Sequence, residues 1–178
     1  MNFKDIKQLT SAGSYQINMP LLFMEKTLDE WINDKEYFNL QLNPDFQRGH
    51  VWTEQQQVAY IEYLLKGGKS ARVIYFNKPS WGSKAHVQDN YDDFVCVDGL
   101  QRLTACKKFM NNELKAFGVY LNEFEGKLPM DVDLLFNVND LKTRKEVLQW
   151  YIEFNSGGTV HTDSFRKEII WKIIILKF

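Results

Sequence analysis

The sequence is poor in cysteine and has no excess of basic residues, and both shortages narrow the possible functions. Of its two cysteines, Cys96 lies in an apolar run and Cys106 on the predicted inner face of a helix, which favours buried thiols over reactive ones. No cysteine and histidine spacing resembles a zinc site. With 22 Lys and Arg against 23 Asp and Glu, the formal net charge is −1. The chain therefore lacks the basic excess typical of proteins that coat nucleic acid, although a local basic patch is compatible with this balance.

Long apolar runs and internal repeats are also missing. Residues 1–16 lack the apolar core of a secretory signal peptide, and no segment approaches the roughly 20 apolar residues that cross a bilayer. The expected location is therefore the cytoplasm, with no membrane partner. Because no linker interrupts the 178 residues, we expect a single domain over residues 1–178.

Alternating helical and strand patterns predict an α/β (α+β) fold, with a small mixed sheet packed against several helices. Thr27 is the predicted N-cap of the first helix, and Thr53 with Gln56 forms a capping box at the start of the second. The helices are predicted at 24–33, from Thr53 to the Gly67-Gly68 pair, 100–109 and 141–154. The strands are predicted at 72–76, 94–97 and 115–122, and a surface loop at 77–92.

The last segment, residues 164–178, is densely apolar with interspersed lysines. Its periodicity does not separate helix from strand. If it packs, it closes the domain; if it is exposed, it is an association surface, for example of a homodimer. Burial in the core is the favoured interpretation.

The central motif is a buried strand that turns through Asp98-Gly99 into a helix. Backbone N–H groups at a helix N-terminus are unpaired and partly positive, so this turn is typical of a phosphate site. Gly99 permits close approach of a ligand, and Arg102 could bind phosphate oxygens in a two-pronged contact. Asp98 could hold Mg²⁺ (or Mn²⁺) or accept a proton, and Gln101 could orient a water or a base edge. A purely structural interpretation stays open, in which Asp98 caps the helix and Arg102 extends into solvent.

A second motif, residues 43–52 (NPDFQRGHVW), comes just before the capped helix. Arg48 could supply a second positive group beside a phosphate chain. Phe46 or Trp52 could stack on a base or pack in the core, and His50 is more typical of a polar loop residue than of a catalyst. Each of these residues also has an ordinary structural interpretation.

The two motifs together resemble the N-terminal domain of GmrSD-type modification-dependent restriction systems, within the ParB/sulfiredoxin-like superfamily. The P-x-F-Q-R-G-x-V-W segment is followed roughly 40 residues later by D-G-x-Q-R-L-T-A. The family's usual turn is D-G-Q-Q-R, so Leu100 is a departure. Residues 155–164 (NSGGTVHTDS) resemble a later family segment, although Phe165 stands where an acidic residue is expected. The resemblance, which covers residues 15–165, implies nucleotide-binding roles for Gln47, Gly99, Thr104 and Asn155.

Within the superfamily, the matching turn reads G-E-R-R in ParB proteins, which bind and hydrolyse CTP, and G-C-H-R in sulfiredoxins, which use ATP. When the turns are aligned on Gly99 and Arg102, the sulfiredoxin nucleophile falls on Leu100. Leucine has no thiol, so the sulfiredoxin reaction is excluded. Family members in restriction systems are associated with hydrolysis of nucleoside triphosphates, and some with nuclease activity.

The leading hypothesis is therefore a Mg²⁺- or Mn²⁺-dependent nucleoside triphosphatase in a restriction or defence system. Asp98 would position metal or water, and Gln101 would orient the attacking water. Arg48 and Arg102 would neutralise phosphate charge, since electrostatic stabilisation dominates phosphoryl transfer.

Two alternatives remain open. One is a DNA nickase or nuclease of ParB-like type, with a short basic stripe of Lys107, Lys108 and Lys115. The other is a non-enzymatic module that senses a nucleotide or binds a protein, such as a nuclease partner chain.

Overall fold

A computed structural model describes residues 1–13, 15–47, 49, 51–81 and 91–156 of the chain. The strands in this part are β1 (Tyr15–Pro20), β2 (Val73–Asn77), β3 (Val95–Asp98) and β4 (Asp133–Asn139). The α-helices are α1 (Leu21–Asn33), α2 (Glu54–Leu65), α3 (Leu100–Met110) and α4 (Arg144–Ser156). Short 3₁₀ turns occur at Phe3–Asp5 and Leu121–Glu123.

The four strands form one mixed sheet in the order β1-β4-β2-β3. β4 pairs antiparallel with β1 and parallel with β2, and β2 pairs antiparallel with β3. β3 is a short, wholly apolar run up to Asp98, as expected for a strand that is covered on both faces. Its last residue, Asp98, is followed at once by Gly99 and α3. The central motif therefore lies at the end of the outermost strand of the sheet.

Two apolar clusters lie on opposite faces of the sheet. The larger cluster contains Ile74, Phe76 and Cys96 together with buried side chains of α1, α2 and α3. The smaller cluster contains Val95 and Val97 together with buried side chains of α4. Because successive side chains of a strand point to opposite faces, α4 covers the face of the sheet opposite to α1, α2 and α3.

Most of the predicted elements are confirmed. The helix capped by Thr53 and Gln56 is α2, with both reciprocal hydrogen bonds of the capping box. The predicted strands at 72–76 and 94–97 are β2 and β3, each displaced by one residue. The helices predicted at 100–109 and 141–154 are α3 and α4. The mixed α+β fold class is confirmed as well.

Two expectations about the helices and strands are wrong, and two strands were missed. Thr27 is not an N-cap, because α1 begins six residues earlier, directly after β1, with Pro20 at the N-cap. No strand spans 115–122; Ala116 and Val119 make a single bridge, because Phe117 and Gly118 both have left-handed backbone, with φ of 53° and 82°. β1 and β4 were not predicted from the sequence.

The loop prediction at 77–92 is wrong at its start, because Lys78 is only 5% exposed. Its Nζ donates to the Asp92 carbonyl and lies 2.7 Å from Asp92 Oδ2. Residues 82–90 and the apolar segment 164–178 lie outside the described residues. Among the helices that are described, none is both long and apolar enough to cross a membrane.

Candidate functional site

A cavity of about 240 Å³ opens at the N-terminus of α3. Three parts of the chain meet there, together with Ala71 from the loop before β2: the turn from β3 into α3, the segment before α2, and the last two turns of α4. The lining residues within the described part of the chain are Gln47, Trp52, Ala71, Asp98, Gly99, Leu100, Gln101, Arg102, Tyr151 and Asn155.

Gly99 makes the turn possible. Its φ of 115° lies in the left-handed region, which side chains with a Cβ rarely adopt. A Cβ at this position would also lie 2.6 Å from Ile74 Cδ1 on β2. The backbone therefore reverses tightly against the sheet, as only glycine permits.

The start of α3 presents unpaired backbone donors to the cavity. Gly99 is the N-cap and offers no side-chain cap, and the first backbone hydrogen bond of the helix runs from Leu103 N to Gly99 O at 2.9 Å. The N–H groups of Leu100, Gln101 and Arg102 have no hydrogen-bond acceptor among the described residues. Together with the helix dipole, such groups favour an anion.

Asp98 and Arg102 form an ion pair on the cavity wall, one helical turn apart. Arg102 Nη2 donates to Asp98 Oδ2, and the Arg102 side chain is 16% exposed against 39% for Asp98. Arg102 Nη1 also makes a long hydrogen bond of 3.4 Å to the Ala71 carbonyl. Arg102 is therefore held across the mouth of the turn instead of extending into solvent, and part of its guanidinium remains available for a ligand.

Behind Arg102 the wall is aromatic. Tyr60 donates from its hydroxyl to the Ala71 carbonyl at 3.0 Å, and Trp52 packs edge-on against the Tyr60 ring at 5.5 Å. Burial raises the pKa of Tyr60, with a further rise from Cys106 and an opposing effect of Arg102. Tyr60 therefore remains a neutral donor that fixes Ala71, whose φ of 54° is unusual for a non-glycine residue.

Two glutamines link the two sequence motifs. Gln101 Oε1 accepts from the backbone N–H groups of Val51 and Trp52 at 2.9 and 3.0 Å, and its Nε2 donates to the Gly49 carbonyl at 3.1 Å. In the opposite direction, Gln47 Nε2 donates to the Val97 carbonyl at 3.3 Å. The Gln47 Oε1 atom is buried and has no hydrogen-bond partner among the described residues.

The third side of the cavity comes from α4. Glu146 and Thr143 cap the start of this helix reciprocally, with a bond of 2.9 Å from Thr143 N to Glu146 Oε2. At the other end, Asn155 Nδ2 donates to the Tyr151 carbonyl at 2.7 Å. Phe46, which the sequence allowed as a base-stacking residue, is fully buried against Tyr151 with ring centroids 5.2 Å apart. Phe46 therefore belongs to the core.

Most of the predicted site residues come together in this cavity: Gln47, Asp98, Gly99, Gln101, Arg102 and Asn155. Thr104 does not. Its hydroxyl donates to the Leu100 carbonyl at 2.8 Å, and it lines a separate cavity of about 250 Å³ between α1 and α3. Arg48 and His50 lie outside the described residues. Ala71 and Tyr151 were missed, because no sequence pattern links them to the motifs.

The family of GmrSD restriction endonuclease N-terminal domains matches residues 28–155. This range contains every described residue of the cavity. The chain belongs to that family. No curated protein and no solved structure matches it.

Both cysteines of this GmrSD N-terminal domain are free and fully buried, as the sequence predicted. Burial raises the pKa of each thiol, and the Asp98 carboxylate raises that of Cys96 further. Neither thiol is therefore a nucleophile in the folded domain.

The donor set of the cavity suits a metal ion that arrives with phosphate. Asp98 is the one carboxylate among the described lining residues, and its Oδ2 already accepts from Arg102. Over the ranges that the structure describes, no three His, Cys, Asp or Glu side chains cluster as metal ligands. Mg²⁺ is often held by one or two carboxylates together with substrate phosphates and water, and the remaining Asp98 oxygen fits that pattern.

Two of the three lysines in the predicted basic stripe make contacts within the GmrSD N-terminal domain itself. Lys107 Nζ lies 3.4 Å from Glu25 Oε1 and 3.8 Å from Asp29 Oδ1 on α1. Lys115 Nζ lies over the Tyr120 ring, 4.8 Å from its centroid. The acidic partners of Lys107 reduce the positive charge that α3 could offer to a nucleic acid.

Proposed function

We propose that this chain binds and hydrolyses a nucleoside triphosphate at the N-terminus of α3, as part of a restriction-type defence system. The observation that carries the proposal is convergence: Gln47, the Asp98 to Arg102 turn and Asn155 line one cavity, although they span more than half of the chain. Membership of the GmrSD N-terminal domain family supports the defence role. A place in the wider ParB/sulfiredoxin-like superfamily belongs to the same proposal.

The phosphate chain would bind at the unpaired N–H groups of Leu100, Gln101 and Arg102. Backbone donors at a helix N-terminus bind anions without a large excess of basic side chains, which agrees with the net charge of −1. Arg102 adds a charged donor on the same side of the cavity. In phosphoryl transfer, positioning and such fixed electrostatic contacts supply most of the catalysis.

Asp98 would act in two stages. Without a ligand, its carboxylate pairs with Arg102. When phosphate oxygens take over donors of Arg102, the carboxylate becomes available to a divalent ion carried by the nucleotide, Mg²⁺ or Mn²⁺. That ion would supply charge neutralisation for the phosphates. Because Asp98 is the one carboxylate in the lining that the structure describes, metal affinity should depend on the nucleotide.

The size of the cavity suits part of a nucleotide. Ligand pockets commonly have volumes of about 300 to 1,000 Å³, and this one is about 240 Å³. The phosphates and part of the sugar would therefore fill it. Trp52 in the lining, and Gln47 Oε1, which has no partner among the described residues, offer a flat surface and a hydrogen-bond acceptor to the rest of the nucleoside.

The deciding experiment measures phosphate release from ATP, GTP, CTP and UTP with Mg²⁺, and binding of non-hydrolysable analogues by calorimetry. Arg102→Ala should weaken binding about tenfold to a hundredfold, because it removes a charged hydrogen bond to phosphate. Turnover should fall together with binding.

Arg72→Ala is the matched control. Arg72 is similarly buried, with 18% of its side chain exposed, and pairs with Asp133, but it does not line the cavity. Both variants lose one ion pair, so both should lower the melting temperature. If Arg102→Ala keeps full affinity and turnover while it is as destabilised as Arg72→Ala, the phosphate assignment is wrong.

No specific observation favours the nuclease alternative, since Lys107 is paired with acidic residues of α1. The sensor alternative is decided by the same experiment. Binding of an analogue without any turnover of the four nucleotides would make the chain a nucleotide sensor.

A further inference from the structure

The side-chain amide of Gln101 is committed to the backbone of another segment. It makes three hydrogen bonds to residues 49–52, at 2.9, 3.0 and 3.1 Å, across about 50 positions of sequence. Its Oε1 receives two successive N–H groups, and a carbonyl oxygen has two lone pairs. The acceptor capacity of this oxygen is therefore filled by the protein.

The residues that Gln101 holds, Gly49, Val51 and Trp52, have few other polar contacts within the described part of the chain. Between residues 49 and 52, the described residues make no backbone-to-backbone hydrogen bond to the rest of the domain. Beyond Gln101, Gln57 Nε2 donates to the Trp52 carbonyl at 3.1 Å, and the Trp52 ring packs against Tyr60. Val51 is 53% exposed and adds little apolar anchoring.

The position of Gln101 matters because it lies on the first turn of α3. Its amide joins the helix N-terminus directly to the backbone of Trp52, and both line the cavity. A side chain one methylene shorter would not span the same gap, and one without an N–H would leave the Gly49 carbonyl without its donor.

We infer that Gln101 is a positioning residue that fixes the wall carrying Trp52 (Gly49, Val51 and Trp52) against the nucleotide site, and that it does not orient the attacking water. The inference rests on the proposed function for its ligand, but the contact itself is independent of any ligand. A water oriented by Oε1 would have to displace the N–H group of Val51 or of Trp52. That displacement would loosen the same wall against which the nucleotide binds.

The test uses the full chain and two variants. Gln101→Met keeps the length of the side chain and removes all three hydrogen bonds. Gln101→Glu keeps an oxygen for the N–H groups of Val51 and Trp52 but loses the donor to Gly49. Hydrogen exchange of the Val51 and Trp52 amides is measured without ligand, and affinity and kcat are measured with the nucleotide that the wild type prefers.

Gln101→Met should speed exchange of both amides about tenfold or more, since each lost hydrogen bond is worth roughly 1 kcal/mol. Gln101→Glu should restore most of the protection. In Gln101→Met, affinity for the non-hydrolysable analogue should fall about tenfold while kcat at saturation stays within about threefold. A residue that positions the attacking water would behave differently: kcat would drop about a hundredfold or more with affinity unchanged.

Gln56→Ala is the matched control, because Gln56 is also a glutamine bonded to a nearby backbone N–H, that of Thr53, at 2.9 Å. It lies outside the cavity lining and should leave affinity and kcat unchanged. Unaltered exchange of Val51 and Trp52 in Gln101→Met, or a loss of kcat alone, would overturn the inference. If the wild type binds none of the four nucleotides, the proposed function fails, and the exchange measurement still decides whether Gln101 holds the wall.

Discussion

At the scale of single residues, Gly99 shows most directly how local backbone geometry produces the candidate site. The turn needs a left-handed φ of 115° and leaves no room for a Cβ beside Ile74. Gly99→Ala should therefore lower the free energy of unfolding by about 2 to 4 kcal/mol, from backbone strain and overpacking together. Chemical denaturation measures this directly.

Gly126→Ala separates the two contributions. Gly126 also has a left-handed φ, of 88°, but nothing lies within 4 Å of a Cβ placed there. Gly126→Ala should therefore lower the free energy of unfolding only by the cost of the backbone strain. Adding Ile74→Val to Gly99→Ala removes the Cδ1 atom nearest to the new methyl group and should recover part of the packing loss. Equal losses for Gly99→Ala and Gly126→Ala would show that Ile74 does not restrict this turn.

The two thiols give a second prediction at this scale. Cys96 and Cys106 are fully buried, and burial raises the pKa of both. Because the thiolate is the reactive form, neither should react with a thiol-specific reagent in the native chain at pH 8 to 9. Both should react at once in denaturant. Fast native labelling that rises with pH from 7 to 9 would contradict the burial of the strand and helix that carry them.

At the scale of elements, the sequence predicted those whose signals are local. α2 has a capping box in its own residues, and β3 with α3 is an apolar run followed by Asp-Gly and a helical pattern. β4 was not predicted, because Asp133, Asn137 and Asn139 interrupt its apolar pattern. These polar residues are buried, and each has a distant partner.

The partners of β4 explain why sequence patterns are insufficient. Asn137 exchanges two hydrogen bonds with the backbone of Gly13, at 3.0 and 2.6 Å. Asn139 donates to the Ser11 carbonyl, and Arg72 donates to Asp133. Buried polar groups are acceptable when they are paired, but these pairs form only once segments 61 to 128 residues apart in sequence have met.

The candidate site likewise combines features with a local sequence signal and features that depend on distant contacts. The Asp98-Gly99 turn and the helix after it could be predicted from adjacent residues. The role of Gln101 could not, since its three partners lie about 50 residues earlier. A glutamine at position 101 indicates a polar contact of some kind. Only the fold identifies the backbone of Gly49, Val51 and Trp52 as its partner.

At the scale of the whole molecule, the family match and the folded unit have different limits. The match begins at residue 28. In the folded chain, however, every residue of β1 (Tyr15–Pro20) pairs with β4, and α1 begins at Leu21. Met19, Leu21 and Met24 are buried in the larger core. Burying each such side chain stabilises a protein by about 1.5 to 3 kcal/mol, so together they contribute roughly 5 to 9 kcal/mol. This is comparable with the entire stability of an ordinary domain, about 5 to 15 kcal/mol.

Deleting residues 1–27 should therefore prevent folding, although it removes nothing from the family match or from the cavity. The exposed edge of β4 should also make the fragment aggregate. Deleting residues 1–8 is the control, because this segment is exposed throughout and ends before Thr10, whose N–H bonds Glu153 at 2.7 Å. Circular dichroism and size-exclusion chromatography should show a native control and an unfolded or aggregated fragment. A native-like fragment 28–178 would mean that β1 is an accessory strand and that the sheet is complete without it.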